Sequence, residues 1–246
     1  MTSRHRVLIT LAVLIFALAV PGAAWAGWDI AQDSSSESFH AFNQRFSGDV
    51  YDYPRHSAAP LGLLGFDIYA GASLDRGFGN SVAGDLIHGD LTGGAMTIGR
   101  VGVRKGLPGG IDIGVAYSRP LGSSDLNLAS ADVQWAILQG GPLSPAVSLR
   151  ATGTGTVGSV GTYEFRQYGA EILVSKGFTL LTPYAGVGVF HSRGTLNAIH
   201  GPTLHDNDSQ GIVYAGVSLS LLLPKITFEV EKADVVQASL RVGVGL

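Results

Sequence analysis

Cysteine is absent from all 246 residues, so no disulfide framework holds this chain and its stability must rest on packing or on a closed hydrogen-bond network. Charge is scarce as well: Asp, Glu, Lys and Arg make up 14% of the residues, well below the ~25% of an average soluble domain. The formal net charge is −3 and no basic cluster is dense, which excludes nucleic acid as a partner. Beyond the first 26 residues no stretch reaches 18 apolar residues in a row, so no helix is expected to cross a membrane. A phosphate-binding loop is missing too. "GTGTVGSVG" (153–161) is glycine-rich, but it lacks the Lys-Ser/Thr ending and the following helix of a nucleotide site. Neither a metal-ligand spacing nor a cofactor signature is present.

Glycine is the residue in excess: its 35 occurrences are about twice the usual ~7%. At the start of the chain, Arg4, His5 and Arg6 precede the apolar run 7–20, and Pro21 leads to small residues at Ala24 and Ala26. This is the layout of a secretory signal cleaved before Gly27, and the apolar run is short of the ~20 residues a spanning helix needs. The expected division is a signal peptide over 1–26, a separate segment over 27–60 and the main domain over 61–246.

That main domain alternates. In "GFDIYAGASL" Phe66, Ile68, Ala70, Ala72 and Leu74 share one face, and Asp67, Tyr69, Gly71 and Ser73 the other. The same beat runs through "IDIGVAYS", "ADVQWAIL", "QYGAEILVS", "YAGVSLSLL" and the terminal "VQASLRVGVGL". Period two over such lengths specifies strands. Ten are expected, over 61–74, 95–106, 111–119, 126–138, 145–154, 165–175, 182–192, 210–222, 225–232 and 235–246, with eight or twelve as the neighbouring even counts. Each is close to the ~9 to 11 residues with which a tilted strand crosses a bilayer. Even-to-odd links such as "LPGG" and "LLPK" are short, whereas 75–94 and 193–209 are long. On the apolar faces Phe66, Trp135 and Phe228 are expected near the short-turn ends, and Tyr117 and Tyr168 near the long-loop ends, as two interfacial girdles.

In "VRKGLPGGIDIGVAYS" (103–118), "LTPYAGVGV" (181–189) and the closing "SLRVGVGL", the chain resembles the small outer-membrane β-barrel proteins of Gram-negative bacteria, a superfamily with many members of unknown activity. The resemblance implies an all-β fold: a closed antiparallel transmembrane barrel preceded by a short N-terminal helical segment. It also implies residence in the outer membrane, contact with outer-membrane lipid, and handling by the barrel-insertion machinery through the C-terminal strand. Family members usually end on an aromatic; here Leu246 stands in that place. No catalytic residue is carried over.

With apolar residues outward, the opposite face lines a lumen. Asp67, Asp112, Asp132, Glu171, Glu229 and Glu231 supply acids there and Arg100, Arg104, Arg150 and Arg241 bases, with glycines making room among them. Ten strands enclose little more than a side-chain-filled interior, so a wide pore is not expected. Two readings of this charge remain open: mutual pairing of buried ions, or a narrow path for a small solute. Before the first strand, Phe39, Phe42 and Phe46 fall at helical spacing, with Pro54 and Pro60 as breakers. The expectation for this segment is a periplasmic linker whose short amphipathic helix caps the rim; the alternative is a plug that enters the lumen.

A loop-borne active site is the competing possibility. His191, His200, His205, Asp206 and Asp208 fall close together in sequence, with Asp85, His88 and Asp90 in the first long loop, and His with Asp can activate water or bind metal. Their spacing matches no known ligand signature. Lipid-modifying barrels use a His and a Ser on the lipid-facing rim, but His191 and Ser192 are adjacent and so face opposite ways on a strand. The expected protein is therefore a non-enzymatic outer-membrane barrel in envelope structure, surface interaction or narrow solute passage. A loop-borne hydrolase or lipid-modifying enzyme is the alternative, and a soluble exported β-protein with a lipid-binding cavity is a third class.

Overall fold

A computed structural model describes residues 28–31, 35–89, 91–123, 126–157, 163–197, 202–221 and 224–245. The expected signal peptide, Asp90, His200 and Leu246 lie outside the described residues. In chain order the elements are β1 (Trp28–Ile30), α1 (Ser36–Val50), β2 (Phe66–Asp75), β3 (Ile87–Gly89), β4 (Met96–Leu107), β5 (Ile111–Pro120), β6 (Leu128–Gln139), β7 (Ala146–Thr156), β8 (Tyr163–Ser175), β9 (Leu181–Leu196), β10 (Leu204–Ser220), β11 (Pro224–Lys232) and β12 (Val236–Gly245). Ten of the strands close into one antiparallel barrel, ordered β10-β11-β12-β2-β4-β5-β6-β7-β8-β9, with β9 pairing back onto β10. Closure removes the free edges that an open sheet would expose.

The alternation puts its apolar face outward. Val115 is 57% exposed, Ile172 51% and Leu240 50%, while Gln134, Glu229 and Arg241 on the other face are 3% exposed or less. A barrel with this polarity is inside-out relative to a soluble one. It excludes the soluble lipid-binding class, which needs its apolar face inside, and it meets the demand that every backbone group in a bilayer be paired within the protein. Phe66 and Trp135 stand toward the short-turn rim and Tyr117 and Tyr168 toward the other. Phe228 instead occupies the centre of β11, because that strand starts at Pro224.

Two boundaries differ from expectation. β2 begins at Phe66 rather than 61, because Gly62, at φ +77, starts a turn closed by Gly65 N–H donating to Gly62 O at 3.0 Å. Much of the expected loop 193–209 is strand: β9 and β10 pair out to Leu196 opposite Leu204. Its residues are polar on the outward face, so hydrophobic alternation stops although backbone pairing continues. β10 has 17 residues against the ~9 to 11 that cross a bilayer, so this hairpin stands proud of the membrane.

Inside that raised wall lies α1. Ser35 caps it, its Oγ accepting from Ser38 N–H at 3.1 Å, and the helix is longer than the three turns expected, running 15 residues to Val50. Tyr51 is extended (φ −53, ψ 136) and Pro54 follows, which stops helical continuation. Phe39, Phe42 and Phe46 share one buried face and pack with Phe78, Leu86, Met96, Tyr163, Phe165 and Leu196 as an apolar core at the long-loop mouth. The Phe42 and Phe46 rings stack at 5.2 Å, and Tyr163 meets Phe42 edge-on at 5.5 Å.

Candidate functional site

The chain after α1 descends through the lumen without a strand partner, so its backbone polar groups need other ones. Inward side chains of the barrel supply them, in order of depth. At the helix end, Gln167 Nε2 donates to Ser47 O at 2.8 Å and Gln237 Nε2 to Gly48 O at 2.9 Å. Below, Arg100 Nη2 donates to the carbonyls of Val50 and Tyr51, each at 3.2 Å. Arg241 Nη1 reaches Arg55 O at 2.9 Å, and Gln134 Nε2 reaches Ala58 O at 3.3 Å. At the short-turn end, Ala58 N–H donates to Ser175 Oγ at 3.0 Å and Leu61 N–H to Asp112 Oδ1 at 3.1 Å. The segment expected as a rim linker or cap thus lies along the lumen axis, held by groups on successive strands.

Ion pairs bind the same segment. Arg150 Nη2 contacts Asp52 Oδ2 at 2.7 Å and Asp132 Oδ1 at 2.8 Å, and its Nη1 meets Glu171. Asp52 also faces Arg100 at 3.1 Å, and Arg55 faces Glu231 at 2.9 Å. Arg104 pairs with Asp132 at 2.8 Å and lies 3.9 Å from Asp112. Arg241 pairs with Asp67 at 2.5 Å, its guanidinium 3.8 Å from the Tyr69 ring centroid. Glu229, fully buried, forms no ion pair among the described residues. All ten lumen charges singled out from the sequence therefore face inward. Their charge partners were sought across the lumen, but Asp52 and Arg55 come from the inserted segment.

Shape follows charge. A Cβ at Gly169 would stand 2.5 Å from the Tyr51 hydroxyl, so the missing side chain on β8 is the seat of that ring. Tyr51 stacks on Phe190 at 5.1 Å and meets Tyr53 edge-on, which in turn meets Tyr214. What space is left is small: the cavity between Arg55, Tyr69, Ile98, Arg100 and Arg241 has room on the order of one water.

Above the membrane α1 is pinned to the raised wall. Asp206 accepts from Asn43 Nδ2 at 2.7 Å and meets His40 Nδ1 at 2.8 Å; that hydrogen bond is the main cause of a raised His40 pKa, with burial opposing it. Arg45 grips Asp75 through Nε at 2.6 Å and Nη2 at 2.8 Å. Asp49 is buried nearby. Desolvation first, and the Asp75 charge second, hold its carboxyl well above the usual range.

The His and Asp residues of the suspected loop site do not converge. His191 and His205 are on the outer surface of the wall, bonded to Ser209 and Thr195 respectively. Asp206 and Asp208 are on the inner side, where they meet His40, Asn43 and Gln210. Strand alternation separates them, since the stretch read as a loop is strand. Ser192 is buried, on the face opposite His191. Asp85 and His88 are exposed in the first long loop. Sequence reasoning missed Gln134, Gln167 and Gln237, which are long amides on lumen-facing positions. Their signal was there: an inward amide is too short to pair across a barrel but long enough to reach a chain on its axis.

Neither the family models nor the curated proteins compared with the chain match it. Solved structures that it resembles include the N-terminal β-barrel domain of Pseudomonas aeruginosa OprF, at 12% identity and a TM-score of 0.37, covering 75% of this chain and 99% of that one. Ail, the attachment invasion locus protein of Yersinia pestis, is 11% identical with a TM-score of 0.38, over 74% and 94%. Neisserial surface protein A is 13% identical with a TM-score of 0.31, over 74% and 96%.

Proposed function

We propose that this chain is a non-enzymatic barrel of the bacterial outer membrane, kept closed by its own residues 36–61 and acting in envelope structure and surface contact rather than as a standing pore. One observation carries this: inward Arg, Gln, Ser and Asp side chains from successive strands are engaged by the backbone and charges of the inserted segment. A path for solute would need those groups free. The outward apolar belt supports contact with acyl chains, and the terminal alternation over β12 is what insertion machinery would read. Separation of His191 and His205 from Asp206 and Asp208 gives the loop-borne hydrolase no support.

Planar-bilayer conductance tests this reading. The intact protein is expected to pass little current, and a variant lacking residues 36–60 to conduct, with its folded state checked by heat-modifiable gel migration. Steady conductance by the intact protein would overturn it in favour of solute passage.

A further inference from the structure

The direction in which the inserted segment runs has a topological consequence. β1 pairs with β3, Trp28 opposite Gly89 and Ile30 opposite Ile87, and Ala31 N–H donates to Leu86 O at 2.7 Å. β3 belongs to the connection between β2 and β4, which is on the long-loop rim, the outer face of a bacterial barrel. Ile30 is buried in the same apolar core as Phe39 and Leu86, so β1 is anchored at that mouth. From there α1 and then residues 51–61 lead down to the short-turn rim, where Leu61 meets Asp112 and Gly106 N–H donates to Gly65 O at 3.1 Å. Roughly eleven extended residues at about 3.3 Å each span about 36 Å, which exceeds the ~30 Å hydrocarbon core.

We propose that the barrel carries its own N-terminal end across the outer membrane and presents it on the cell surface. Resting on the outer-membrane reading above, this goes beyond closure of the lumen. The ten-strand ring has no open seam, and the lumen is filled by one passage of chain. Residues 28–31 can stand at the outer mouth only if a free N-terminal end passed outward before the ring closed around residues 51–61. A leader still fixed in the inner membrane could not make that passage, so its removal must precede barrel closure. The surface so displayed is the β1 and β3 pair with the start of α1, where Asp29, Ser36, Glu37, His88 and Gly89 are exposed.

The lack of native cysteine makes the test direct. Single-cysteine variants Asp29→Cys and Ser36→Cys are treated with a membrane-impermeant maleimide, on intact cells and after the outer membrane is opened. Val82→Cys, in the first long loop and 52% exposed, is the outer control; Leu143→Cys, in a short turn and 97% exposed, is the inner one. Label is read only in the folded, heat-modifiable band. Both N-terminal variants are expected to label on intact cells to the same extent as Val82→Cys, while Leu143→Cys labels only after opening. Labelling of Asp29→Cys and Ser36→Cys only after opening, with Val82→Cys labelled on intact cells, would overturn the proposal and leave the closed barrel standing. Exchange of the two controls would overturn the orientation and the proposal together.

Discussion

Arg150 shows why a buried charge in this lumen needs several partners. It is 3% exposed and faces carboxylates from three directions: Asp52 of the inserted segment, Asp132 of β6 and Glu171 of β8. Removing one member of a buried ionic cluster is costly because the others stay desolvated without compensation. Arg150→Met is therefore expected to lower the stability of the folded barrel by about 3–5 kcal/mol, measured as the shift in urea midpoint of the heat-modifiable form in detergent micelles. A shift within experimental error would mean that Asp132 and Glu171 are held by other groups. Gly169 is the steric counterpart, since the seat of Tyr51 depends on an absent Cβ. Inward glycines in this chain are thus complementary to particular rings, not general spacers.

Helix α1 depends on two different attachments. Its phenylalanine face is buried in the mouth core, and its polar face is tied to the raised wall through Asp206. The His40 part of that tie varies with pH. Its folded pKa is raised, so its contribution is complete below the ordinary histidine value of about 6.5 and is lost as pH rises through the folded value. Because His40 is more than half exposed, solvent screening limits the effect to below about 1 kcal/mol. Hydrogen-exchange protection of the first turns of α1, corrected for intrinsic rate, is expected to fall modestly as the pH rises from about 5.5 to 8, spanning the histidine range. His40→Gln should remove that dependence while leaving the phenylalanine face docked. An unchanged pH profile in this variant would assign the dependence to another group.

For the molecule as a whole, the decisive property is the inversion of polarity between wall and interior. Val115, on the outward face of β5 between the two rims, is placed to meet hydrocarbon. Val115→Arg is expected to destabilise the barrel in lipid vesicles by about 2–4 kcal/mol, read from its folding midpoint. Leu143→Arg in the exposed short turn should change it by less than about 0.5 kcal/mol. Equal midpoints for the two variants would mean that the apolar belt does not sit in a bilayer. The same inversion explains the low charge content: charged side chains are confined to the lumen, the rims and the raised hairpin.

The ten strands, their outward and inward faces and the inward placement of ten charged residues were legible from the sequence because each rests on a local rule. Side chains alternate along a strand, and a hydrophobic face must find an apolar surrounding. The outer half of the β9 and β10 hairpin was illegible by that rule, since polar residues occupy its outward face and pairing is enforced only by the neighbouring strand. The fate of residues 36–61 was out of reach for a related reason. Phe39, Phe42 and Phe46 specify a helix with an apolar side but not the surface that covers it. That surface is assembled from Phe78, Met96, Tyr163, Phe165 and Leu196, which are distant in sequence. Likewise, Asp52 and Arg55 read as ordinary polar residues until barrel closure sets Arg100, Arg150 and Glu231 around them. The sequence by itself determined a wall with two faces; only the tertiary structure decided what fills it, because the interior is defined by side chains converging from all ten strands at once.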